Sequence, residues 1–64
     1  MIMQRLIWGK SESLEAEYSA RAAEPFTVAE AMDDEIYVVR GFATQRAALK
    51  AVKEYDGWQI EVVG

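Results

Sequence analysis

A chain of 64 residues has room for one core, and the absence of Cys and His excludes a disulfide, a thiolate and a zinc site. Eleven acids against seven bases leave a net charge of −4, which argues against direct nucleic-acid binding and for a protein partner with a basic surface. Two Trp, three Tyr and two Phe join the Ile, Leu and Val to supply a core, so residues 1–64 read as one compact domain.

Met1 to Trp8 reads as a strand of mixed apolar character, ended by Gly9. Ser11 to Ala23 carries two signals. Leu14, Ala16, Tyr18, Ala20 and Ala22 alternate with polar residues as a strand would, yet Ala and Glu favour a helix. Ser11 or Ser13 would cap that helix, Glu12 and Glu15 suit its positive end, and Pro25 stops it. Helix is the favoured reading of 12–23. The alternative is a hairpin between 2–8 and 13–22. Phe26 to Met32 is a short strand or irregular edge, and Asp33-Asp34 has the character of a turn. Glu35 to Arg40 is the firmest strand, broken by Gly41. Thr44 then caps a helix to about Tyr55, with Ala48, Val52 and Tyr55 facing the core and Gly57 ending it. Trp58 to Val63 closes the chain as a strand.

The order βαββαβ predicts an α+β domain, an antiparallel sheet of about four strands with one or two helices on one face. The ferredoxin-like arrangement is favoured, and βββαβ is the alternative should 12–23 be strand. No stretch approaches the roughly 20 apolar residues that span a bilayer, and the N-terminus lacks a signal-peptide core. A cytoplasmic protein with no membrane association is expected, as a monomer or weak homodimer.

Catalysis near neutral pH needs groups that change protonation or attack. None of Ser11, Ser13, Ser19, Thr27 and Thr44 has an evident base partner in the sequence. Gly9-Lys10-Ser11 lacks the earlier Gly of a phosphate loop and reads as a turn. Asp33-Asp34-Glu35 lacks the ligand alternation and turn Gly of a calcium loop. The expectation is a protein that is not an enzyme and needs no metal or cofactor.

Charge segregation stands out. Residues 11–35 hold eight acids and one base, Arg21, whereas 36–53 hold four bases (Arg40, Arg46, Lys50, Lys53) and no acid. Such runs commonly do no more than solvate a surface. The sharper reading makes the acidic run around Glu24, Glu30, Asp33, Asp34 and Glu35 a partner-binding surface that imitates a row of phosphates.

In size, acidity and lack of a catalytic set the chain resembles the small acidic proteins that phages use against host defences, anti-CRISPR proteins among them. That resemblance implies a non-enzymatic inhibitor whose carboxylates occupy the basic DNA groove of a recognition subunit in a CRISPR surveillance complex. A second, local resemblance lies in Tyr37-Val38-Val39-Arg40-Gly41-Phe42, the helix after it and Trp58 to Val63. These look like one half of a peptidoglycan-binding domain of the sporulation-related repeat type, although the first half of the chain does not repeat the pattern. A different class of function stays open beside these: a structural or regulatory interaction domain, antitoxin-like or an assembly subunit, with an apolar patch around Trp8, Phe42 or Trp58.

Overall fold

A computed structural model describes residues 4–33 and 35–64. Four strands and two helices follow in the order β1 (Gln4–Lys10), α1 (Ser11–Tyr18), β2 (Phe26–Met32), β3 (Glu35–Phe42), α2 (Gln45–Val52) and β4 (Gln59–Val63). The strands form one sheet in the order β3-β2-β1-β4.

Leu6, Ile7 and Trp8 are buried one after another in β1. Successive strand residues point to opposite faces, so a run buried throughout requires cover on both. Leu6, Trp8 and Val28 pack with Ala48 beneath α2, joined by the half-buried Phe26, Phe42, Val52, Tyr55 and Trp58. Ile7, Ala29, Ala31 and Val63 pack with Leu14 of α1, joined by Tyr18 and Ile36. The two helices therefore cover opposite faces, which corrects the expectation of helices on one face.

The sheet is mixed rather than antiparallel. β1 pairs antiparallel with β2, and β2 with β3, but β1 and β4 run parallel. The cause is the β3–α2–β4 connection. A helix that carries the chain back along the sheet delivers the next strand in its original direction. The order also departs from the ferredoxin-like split, because β2 lies directly beside β1 with Lys10 opposite Phe26. β1, β2 and β3 follow one another as neighbours, but β2 is Phe26–Met32 and not the 13–22 strand of the alternative, and residues 11–18 are helical as the favoured reading had it.

Four boundaries move. α1 stops at Tyr18 rather than Ala23: Ser19 adopts a left-handed conformation (φ 58°), and its N–H bonds the Glu15 carbonyl. Residues 20–25 then turn back to bring Phe26 alongside Lys10. Gly9 lies within β1 instead of ending it, because a Cβ there would strike the carbonyl of Val63 on the neighbouring strand. Gly41 likewise lies within β3, where the Glu24 carboxylate and Ala22 pass closely over it. Thr44 caps α2 as expected, its Oγ1 accepting from Ala47 N–H at 3.2 Å. α2 ends at Val52 rather than Tyr55, because the chain tightens there into a turn in which Tyr55 N–H bonds the Val52 carbonyl.

Candidate functional site

The side of the sheet under α1 gathers carboxylates. Glu12, Glu15 and Glu17 stand exposed on α1, and Glu24 is exposed in the loop after it. Three bases lie near them: Lys10, exposed beside Glu12 and Glu24, and two arginines that are engaged. Arg21 pairs with Glu15 at 3.0 Å, and Arg5 lies 3.6 Å from Glu61. No hydrogen bond or ion pair engages the carboxylates of Glu12, Glu17 or Glu24 among the described residues. The opposite side carries Arg46, Lys50 and Lys53, exposed on α2 around Leu49. The acids of α1 and its following loop thus lie across the sheet from the cations of α2, whereas Glu30 and Glu35 keep to the α2 side.

A buried hydroxyl network fixes Glu24. Ser11, 2% exposed, donates from Oγ to the Glu24 carbonyl and meets Thr27 Oγ1 at 2.6 Å. Thr27, fully buried, accepts from Ala22 N–H at 3.1 Å, and Ser11 N–H bonds the Pro25 carbonyl at 2.8 Å. With Ser11 Oγ donating to Glu24, Thr27 must donate to Ser11, so every member of the network is satisfied. Ser11 is therefore not the side-chain cap expected from the sequence. It is a latch that ties the start of α1 to the returning loop. Beside it lies an open hollow of about 380 Å³, lined by Lys10, Glu12, Arg21, Glu24 and Phe26 among others.

The five acids singled out in the sequence do not form one cluster. Glu24 precedes β2 and Asp33 follows it, so the length of that strand separates them by roughly 20 Å at about 3.3 Å per residue. Asp33 is exposed in a left-handed conformation (φ 56°), and its carbonyl accepts from Arg5. Asp34 lies outside the described residues. Glu30 belongs to the α2 side of β2, where Tyr55 donates to its carboxylate. Glu35 accepts from Tyr37 at 2.8 Å. Tyr18 donates in the same way to Glu61, so all three tyrosines of the chain are held by glutamates. Hydrogen bonding to Glu30, aided by burial, raises the Tyr55 phenol above its ordinary value, and Glu35 does the same to Tyr37. Raised phenols are poorer nucleophiles and bases at neutral pH.

The aromatic patch of the alternative reading is mostly inside. Trp8 is buried, and Phe42 and Trp58 are half-buried against the α2 cluster, Trp58 meeting Tyr55 edge-on at 5.1 Å. Among the described residues, the large apolar side chains that face solvent lie on the two edge strands and on α2: Tyr37, Val38, Val39, Ile60, Val62 and Leu49.

Among the described residues no group of three acidic side chains is placed to hold a metal ion, and no helix is long and apolar enough to cross a membrane. No protein-family model matches the chain, and no curated protein or solved structure matches it.

Proposed function

We propose that this domain is a non-enzymatic inhibitory binding protein that presents the α1 side of its sheet to a basic groove, in the manner of an anti-CRISPR that blocks DNA recognition. One observation carries the reading. Glu12, Glu17 and Glu24 stand exposed on one side and form no ion pair among the described residues, while the cations of α2 lie across the sheet. Like charges gathered this way repel each other, and a cationic groove relieves that repulsion while steering the encounter. We take α1 and Glu24, rather than the Asp33–Glu35 turn, as the centre of that surface. Glu30 faces away and takes no part.

The test is competition. The domain should displace double-stranded DNA from purified DNA-recognition subunits of CRISPR surveillance complexes, with an association rate that falls as salt screens the charges. The triple reversal Glu12→Lys, Glu17→Lys, Glu24→Lys should slow association by at least about tenfold, because rim charges act chiefly on the on-rate. Arg46→Glu with Lys50→Glu should leave it near wild type. A triple variant that binds as fast as wild type at low salt would reduce the acidic side to solvated surface.

A further inference from the structure

The outer edge of β3 is unpaired among the described residues, and it carries large apolar side chains that face solvent. Tyr37 is 61% exposed, and Val38 and Val39 are each 40% exposed, in the middle of an eight-residue strand. We infer that this edge pairs antiparallel with the same edge of a second copy of the chain, about a two-fold axis at Val38.

The register supplies the argument. β3 opposes β2 with Glu35 at Met32, Ile36 at Ala31, Val38 at Glu30, Val39 at Ala29 and Arg40 at Val28, and the shift between Glu30 and Ala31 leaves Tyr37 without a partner. Tyr37 is thus a one-residue bulge. Glu35 and Arg40 are five positions apart, which in a regular strand would put them on opposite faces. The bulge removes one position from the count and sets both on the α2 face, with Val38 midway between them. Ile36 and Val39 share the α1 face.

Pairing two copies about Val38 therefore sets Val38 against Val38, Ile36 against Val39 of the second copy, and Glu35 against its Arg40. Both apolar matches and both charge matches fall on the correct faces, and the symmetry makes each charged pair occur twice. Arg40 is held ready, its guanidinium 5.3 Å from the centre of the Phe42 ring. No acid forms an ion pair with it among the described residues. The other edge offers no such match. Setting Ile60 of β4 opposite Val62 of a second β4 would place Glu61 opposite itself. This interface leaves the acidic α1 side uncovered, so it stands or falls separately from the inhibitory reading.

Sedimentation equilibrium over micromolar to millimolar concentration tests the pairing, with thermal melts confirming that each variant folds. Wild type should rise from the single-chain mass of 7.2 kDa towards twice that value and no further. Glu35→Arg sets cation against cation, and Arg40→Glu sets acid against acid. Each should weaken the dimer by about tenfold or more. The double reversal restores opposite charges and should recover most of the loss. A wild-type chain that remains at the single-chain mass at millimolar concentration overturns the inference. So does growth beyond the dimer, or an association that both single reversals leave unchanged, since each places the contact on another surface.

Discussion

Replacing Thr27 by Val tests the link between the fold and the acidic side most directly. The change keeps the shape of a fully buried side chain and replaces its hydroxyl with a methyl. Ala22 N–H then loses its acceptor, and Ser11 Oγ loses the proton that Thr27 donates to it. A buried polar group left without a partner costs about 1–3 kcal/mol, and the added methyl returns at most about 0.8 kcal/mol. The net loss should be about 1–2 kcal/mol. A domain of this size has only about 3–10 kcal/mol to lose, and each kcal/mol lowers Tm by about 4–8 °C. Ser11→Ala strands the Glu24 carbonyl and the Thr27 hydroxyl proton and should cost a similar amount. Because the two hydroxyls share one bond, the double variant should lose less than the sum, by about 0.5–1.5 kcal/mol. Denaturant unfolding followed by the fluorescence of Trp8 and Trp58 measures all three. Hydrogen exchange should show faster opening in residues 20–25, the loop that carries Glu24. If Thr27→Val were as stable as wild type, or the two losses simply added, the latch would not hold this loop.

Gly9→Ala should cost about 1–3 kcal/mol or more, because its methyl meets the backbone of Val63 and β4 cannot yield without leaving β1; a melt indistinguishable from wild type would refute the close approach. Val52→Ala, from the half-buried side of α2, should cost about 1–2 kcal/mol in the same assay. The raised Tyr55 phenol gives stability that is full below the ordinary value of 10.0 and is lost as pH rises through the higher folded value. A pH series of melts should show that loss above about pH 10 in wild type and a smaller one in Tyr55→Phe. Excess chelator should leave the melting temperature unchanged, and a fall of several degrees would reveal a structural cation.

The elements could be read from the sequence because each rests on local chemistry. Thr44 caps α2, Ile36-Tyr37-Val38-Val39 has strong β preference, and Glu with Ala outweighs the alternation in 12–18. The pairings could not be read this way, because they depend on where distant strands meet. One clue was present. The unbroken apolar run Leu6-Ile7-Trp8 already implies cover on both faces and so opposed helices. The glycines misled for the opposite reason: Gly9 and Gly41 have the look of strand breakers, and only the arrival of Val63 and of Glu24 makes them strand residues. The acidic side was half legible. Its charge stood in the composition, but the bulge at Tyr37, the turn of Glu30 towards Tyr55 and the Ser11–Thr27 latch all arise from tertiary contact.

A two-fold axis at Val38, perpendicular to the sheet, would keep the faces of the two copies aligned, so both acidic helices would stand on the same side of one eight-stranded sheet. Each α1 lies over β1 and β2, with β3 next in order, so four strand spacings separate the two helices. At about 4.8 Å per spacing that is roughly 19 Å. The Debye length at physiological ionic strength is about 8 Å, so repulsion between the two acidic sides is largely screened and opposes the dimer little. Within one copy Glu12 and Glu24 line the same hollow, and their repulsion persists until a cationic surface covers them. Pairing through β3 would then extend the row of carboxylates without the cost of crowding it. A dimer-disrupting change such as Glu35→Arg should consequently weaken binding to a long basic groove more than to a short one, whereas reversing Glu12 and Glu17 should weaken both equally. Equal loss on grooves of both lengths for Glu35→Arg would show that each copy binds alone.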